Sequence, residues 1–133
     1  MKKRISLQVK CPYCRKSLMD EEVKLYDHPG IKLNIVTPEN RGVIHLCSVY
    51  ECYDRKTDIE IKKGTVVDFY CPHCNKELLV NEECKLCGAP MVNLVLKVGG
   101  RVSFCSRAGC SNHHVSFTDL STELAHFYNE YEP

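Results

Sequence analysis

Tryptophan is absent from this 133-residue chain, and no apolar run approaches the roughly 18 residues of a membrane span. The opening "MKKRISLQVKCPYC" is basic like a secretory leader, but no apolar stretch or small-residue cleavage site follows it. A cytoplasmic location and no membrane partner are the expectations. The formal net charge is only +1, so no global field draws the chain toward nucleic acid or a lipid surface. Glycine and proline number 7 and 6, and they form no low-complexity linker. There is no HExxH and no His-x-Glu…Cys-x-x-Cys arrangement, so the usual marks of a catalytic zinc are missing. Nothing points to a small-molecule substrate, and a non-enzymatic role is expected.

Cysteine, by contrast, is abundant, with ten residues. In an intracellular chain thiols stay reduced, and closely paired cysteines are there to hold metal. The pairs are three CxxC turns, Cys11/Cys14, Cys71/Cys74 and Cys84/Cys87, and two Cx4C pairs, Cys47/Cys52 and Cys105/Cys110. A CxxC turn converges two sulfurs on one ion, and four thiolates close a tetrahedral site around Zn²⁺.

The pairs belong to a duplication. "CPYCRKSL" at 11–18 parallels "CPHCNKEL" at 71–78, and "EEVKLY" at 21–26 parallels "EECKLC" at 82–87. "GVIHLCSVYEC" at 42–52 parallels "GRVSFCSRAGC" at 100–110. Constant order and near-constant offset identify two copies of one unit. The expected domains are a first ribbon-like unit over 1–63, a second over 64–117, and a tail over 118–133. The halves differ in charge: 13 Lys/Arg against 9 Asp/Glu in 1–63, and 5 against 8 in 64–133.

Each unit reads as β-rich. "ISLQV" and "VVDFY" alternate ahead of the CPxC turns, and "IKLNIV" and "VIHL" flank the turn composition "TPENRG". "MVNLVLKV" and "RVSF" flank Gly99-Gly100, which predicts a two-residue hairpin loop with residue 98 facing 101. "DIEI" reads as a short strand. In the tail, Leu120, Leu124, Phe127, Tyr128 and Tyr131 mark one face of an amphipathic C-terminal α-helix, with Thr118 as its N-cap. The expected fold class is therefore a small metal-stabilised β-rich protein: two duplicated ribbon units plus a C-terminal helix.

The hairpin should bring Cys105 and Cys110 to the Cys84/Cys87 turn as one site. In the first unit the matching positions are Val23, Tyr26, Cys47 and Cys52, so half the ligands are gone and Cys47/Cys52 would be remnants. The two CPxC turns, Cys11/Cys14 and Cys71/Cys74, would then share a second ion across a pseudo-twofold axis. This scheme uses eight cysteines and two Zn²⁺ per chain. Two other partitions remain open: Cys11/Cys14 with Cys47/Cys52, or Cys71/Cys74 with Cys84/Cys87. His113 or His114 could also complete a mixed site with Cys105/Cys110. Loop length does not decide, because closing a 30-residue loop costs only about 1 kcal/mol more than closing a 9-residue one.

The knuckles "CPYC", "CPHC" and "CKLCGAP" resemble the zinc-ribbon superfamily, in particular proteins with tandem zinc ribbons. The resemblance implies structural zinc modules of nucleic-acid machinery, of adaptors, or appended to enzymes. Rubredoxins are similar and imply iron between four cysteines. Their knuckles carry glycine after the second cysteine, and here only Gly88 does, while Arg15 and Asn75 follow the other pairs. Zinc is the expected metal, with iron the alternative. The expected function is a protein-interaction adaptor or regulatory module with a protein partner. Nucleic-acid binding, through "MKKR", "CRK" and "DRK", and rubredoxin-like or thiol redox chemistry at Cys47/Cys52 are the alternatives.

Overall fold

Ten short β-strands make up the regular structure in a computed structural model that describes residues 6–50, 52, 54–110 and 112–116. They are β1 (Val9–Lys10), β2 (Met19–Leu25), β3 (His28–Val36), β4 (Arg41–Leu46) and β5 (Arg55–Thr57). The second set is β6 (Asp68–Tyr70), β7 (Leu79–Glu83), β8 (Pro90–Leu96), β9 (Arg101–Cys105) and β10 (His113–Ser116). No helix occurs among the described residues, so the expected fold class is corrected to an all-β architecture. The segment read as the C-terminal helix, including Thr118, Leu120, Leu124, Phe127, Tyr128 and Tyr131, lies outside the described residues.

The strands form two five-stranded sheets. One has the order β2-β3-β4-β5, with β6 also on β3, and the other has β1-β8-β9-β10, with β7 also on β8. All named pairings are antiparallel. The central strands alternate as a half-buried pattern requires. Ile31, Leu33 and Ile35 of β3 point inward, as do Val92, Leu94 and Leu96 of β8.

The lead strand of each copy pairs with the other copy's sheet. β1, from the first half, pairs with β8 through Val9↔Leu96, and β6, from the second half, pairs with β3 through Ile35↔Phe69. These are the same contact seen from each copy, since Val9 and Phe69 are equivalent and so are Ile35 and Leu96. The duplication extends to individual hydrogen bonds. Leu18 N–H donates to the Val9 carbonyl at 3.0 Å, and Leu78 N–H to the Phe69 carbonyl at 2.8 Å. Leu7 N–H donates to Ser48 O at 2.7 Å, and Val67 N–H to Ser106 O at 2.9 Å.

The exchange produces one continuous core from both copies. Leu7, Val9, Leu18, Leu33 and Ile44 pack in the same cluster as Val67, Phe69, Leu78, Leu94 and Phe104. Phe69 meets Phe104 edge-on, with centroids 5.3 Å apart and rings at 89°, a geometry favoured by the ring quadrupoles.

Two local expectations are corrected. The Gly99-Gly100 turn is not a two-residue loop: β8 ends at Leu96, β9 begins at Arg101, and Val95 pairs with Arg101. Both glycines have positive φ, 104° and 108°, and Leu96 N–H reaches the Gly100 carbonyl at 3.0 Å, so the wider loop uses both. The "DIEI" segment is not a strand; β5 lies just before it. The Asp58 side chain instead accepts from Val43 N–H at 2.8 Å.

Because Leu94 is wholly buried in the shared core, Leu94→Ala is expected to cost about 2–5 kcal/mol. Urea unfolding followed by hydrogen exchange in both sheets should show one common transition rather than loss of the second half alone.

Candidate metal centres

Each CxxC turn has the same backbone device. The residue after the second cysteine sits near the left-handed region and donates its N–H to the first cysteine's carbonyl. The three cases are Arg15 to Cys11 at 3.0 Å, Asn75 to Cys71 at 2.9 Å, and Gly88 to Cys84 at 2.8 Å. Their φ values are 64°, 60° and 80°. Glycine adopts this conformation freely and asparagine tolerates it, whereas arginine is strained there. The sequence rule that wanted glycine at this place thus marked a real conformation, which Arg15 and Asn75 adopt without it.

The crossing lead strands bring two of these turns face to face. Cys11 and Cys14 follow β1, Cys71 and Cys74 follow β6, and the four sulfurs lie within 4.8 Å of one another. Cys11 Sγ is 3.7 Å from Cys74 Sγ, and Cys14 Sγ is 3.8 Å from Cys71 Sγ. An ion with Zn–S bonds of about 2.3 Å in a tetrahedron spaces its sulfurs about 3.8 Å apart. Cys11 and Cys71 are fully buried, and Cys14 and Cys74 are half-buried. Backbone N–H groups point at the buried sulfurs: Tyr13 N donates to Cys11 and His73 N to Cys71, both at 3.3 Å.

A second tetrad lies in the second copy. The Cys84/Cys87 turn links β7 to β8, Cys105 ends β9, and Cys110 closes the following turn. The register Met91↔Cys105 sets Cys105 beside the turn. Its sulfurs also fall within 4.8 Å of one another, with Cys84 to Cys110 at 3.7 Å and Cys87 to Cys105 at 3.3 Å. Donors again surround the sulfurs. Leu86 N reaches Cys84 at 3.3 Å, Arg107 N reaches Cys105 at 3.4 Å, and Asn112 Nδ2 reaches Cys84 at 3.2 Å. Donors of this kind offset thiolate charge and orient ligands.

These two groups are the cross-unit and hairpin sets of the leading sequence scheme. Neither rival partition, Cys11/Cys14 with Cys47/Cys52 or Cys71/Cys74 with Cys84/Cys87, occurs among the described residues. Cys47 and Cys52 lie in neither tetrad; they are joined by a disulfide, with Cα atoms 5.9 Å apart. They pack with Leu25 and Val49. Where the second copy has Cys87 and Asn112, the first has Tyr26 and Asp54, and the Tyr26 hydroxyl donates to the Asp54 carboxylate. His113 and His114 lie in β10, opposite Phe104 and Ser103, and their side chains are outside the described residues. Asn112 was not singled out from the sequence. Its only signal is its equivalence to Asp54, two residues beyond the last cysteine of each copy.

Without a cation, the tetrads cannot carry four ionised sulfurs. Burial pushes the Cys71 thiol up to about 12, and the same cause takes Cys105 to about 12. The Lys76 N–H holds Cys74 down at about 7. Burial also acts upward on Cys84, but Asn112 and the Cys87 and Leu86 N–H groups outweigh it and bring the thiol to about 6. Each tetrad so pairs an easily ionised thiol with one that stays protonated, a donor set that fits a divalent ion able to displace protons.

Two outcomes are expected. At least one proton must leave each site at neutral pH, so metal affinity should fall at least about tenfold per pH unit on acidification, as read by chelator competition. Asn112→Ala removes a donor to Cys84 and should weaken the hairpin site about tenfold while sparing the cross-unit site.

No protein family, curated protein or solved structure matches this chain, so the two tetrads themselves carry the functional reading.

Proposed function

We propose that this chain is a non-enzymatic structural-zinc protein whose two four-cysteine sites hold rigid a surface for a macromolecular partner. The observation that carries the reading is the pair of four-sulfur clusters, each with its sulfurs within 4.8 Å of one another. Zn²⁺ bound by four thiolates is coordinatively closed, which supports a structural role over hydrolysis. Cys11, Cys14, Cys71 and Cys74 would hold one ion, and Cys84, Cys87, Cys105 and Cys110 the other. Zinc supplies folding free energy there, about 10–16 kcal/mol per site, against a net stability of roughly 5–15 kcal/mol for a typical domain.

The partner surface we favour lies on the first copy. Lys24, Leu25, Tyr26, Asp54, Arg55 and Lys56 line an open cavity of about 570 Å³. Beside it, β5 is exposed along its length at the end of its sheet. An edge strand flanked by cations suits an acidic extended segment of a protein partner, added as a further strand. The same cations gathered around Tyr26 also suit a single-stranded nucleic acid, which is the second reading.

Native mass spectrometry of protein purified under reducing conditions is expected to show two zinc ions per chain. Full demetallation should abolish the β-sheet circular dichroism. A folded chain without metal, or one carrying iron, contradicts the proposal. Anisotropy titrations at low salt should show an acidic polypeptide binding, with Lys24→Glu/Lys56→Glu reducing affinity at least tenfold; binding of an oligonucleotide instead favours the second reading.

A further inference from the structure

The Cx4C loop occurs twice in this molecule, in two chemical states. In the first copy Cys47 and Cys52 are a disulfide. In the second, Cys105 and Cys110 carry free thiols directed at the hairpin tetrad. The two loops have the same internal hydrogen bonds. Cys47 N–H donates to Asp54 O at 2.8 Å, and Cys105 N–H to Asn112 O at 3.0 Å. Cys52 N–H donates to Val49 O at 2.9 Å, and Cys110 N–H to Arg107 O at 3.1 Å. Even the side-chain anchor is repeated: Ser48 Oγ donates to Pro29 O at 2.7 Å, and Ser106 Oγ to Pro90 O at 2.6 Å. A backbone that closes a disulfide in one copy therefore offers the same closure in the other. In the first copy its Cα separation of 5.9 Å falls within the ordinary disulfide range.

We propose that Cys105 and Cys110 are a redox modification site, converted by peroxide-class oxidants to an intraloop disulfide that dismantles the hairpin metal site and leaves the cross-unit site intact. The proposal rests on the metal reading of the hairpin tetrad. Cys87 is the exposed thiol of the tetrad, but within the Cx4C loop Cys110 is half-exposed and Cys105 buried, so of this pair Cys110 meets the oxidant first. Its thiolate attacks a peroxide oxygen, the O–O bond breaks, and hydroxide leaves to be protonated to water; the sulfur becomes a sulfenic acid. The Cys105 sulfur, deprotonated as a ligand of the hairpin site, then attacks that sulfur, the S–S bond forms, the S–O bond breaks, and a second hydroxide leaves as water. Two electrons pass from the sulfurs to the peroxide, and solvent supplies two protons. With two of four sulfurs tied together, Cys84 and Cys87 alone no longer form a closed tetrahedron.

The cross-unit tetrad is built differently. It has no Cx4C loop, none of its four sulfurs is exposed whereas Cys87 of the hairpin site is, and its two turns follow strands that pair with opposite sheets. It should outlast the hairpin site. The competing product within the hairpin tetrad is a Cys87–Cys105 bond, whose sulfurs are 3.3 Å apart. That bond has no counterpart in the first copy, where the Cys87 position is Tyr26.

The test is graded hydrogen peroxide on the full-length, reduced, zinc-loaded protein, with native mass spectrometry for metal and non-reducing peptide mapping for disulfides. The expected result is loss of half the zinc together with a Cys105–Cys110 link, while Cys11, Cys14, Cys71 and Cys74 remain alkylatable. A thiol reductant with added zinc should restore the original count. A dominant Cys87–Cys105 link, loss of both ions in step, or unchanged Cys105 and Cys110 thiols overturns the proposal. The metal count before peroxide addition tests the metal reading separately, because the peptide map reports the Cys105–Cys110 link whether or not zinc was bound.

Discussion

Four sulfurs from two halves of the chain, drawn to within 4.8 Å of one another, are the constraint on which this structure depends. Thiolates at that spacing repel, and buried thiols resist ionisation; Cys71 is pushed up to about 12 for that reason. A divalent cation reverses both penalties at once. The lead strands β1 and β6 cross to deliver these sulfurs, and the same crossing merges the two apolar clusters into one core. Sulfur cluster and core are thus consequences of one exchange. Each copy, at roughly 55 residues, is of a size at which a core of its own gives only marginal stability.

The copies have diverged most where the demand on them differs. The second keeps a four-cysteine hairpin site with Asn112 donating to Cys84. The first keeps only the Cx4C loop, closed as Cys47–Cys52, and replaces the remaining ligand positions with Val23 and a Tyr26–Asp54 hydrogen bond. A disulfide across so short a loop contributes about 2 kcal/mol in the chain-entropy picture, far less than a bound zinc. The first copy can accept that because the exchanged strands and the shared core already join it to the second. Its freed face carries the cationic cavity of Lys24, Arg55 and Lys56.

Much of this was legible in the sequence, for definite physical reasons. Offsets of 58 to 61 residues between matching motifs identified the duplication, and they fixed which cysteine pairs are equivalent. Missing ligands at Val23 and Tyr26 pointed to eight clustered cysteines, and those eight are the ones brought together. Alternation in "IKLNIV" and "MVNLVLKV" located β3 and β8. The strand exchange was not legible, because Val9 reads as a strand residue whichever sheet it joins. The hairpin register was misread because Gly99-Gly100 serves equally as a two-residue turn or as half of a wider one. The Cys47–Cys52 bond was missed because a Cx4C pair has the same spacing whether it holds metal or closes on itself. The tail periodicity led to the expectation of a helix beside the strands, whereas the described residues form strands alone.

The central claim is that an ion shared by the two copies fastens both sheets. Hydrogen exchange in protein carrying Cys14→Ser with Cys74→Ser, one ligand removed from each half, tests it most directly. The account predicts that protection falls together in β3 and β8 while the hairpin site still binds one zinc. Protection that persists in both strands, or that falls in only one of them, would contradict it.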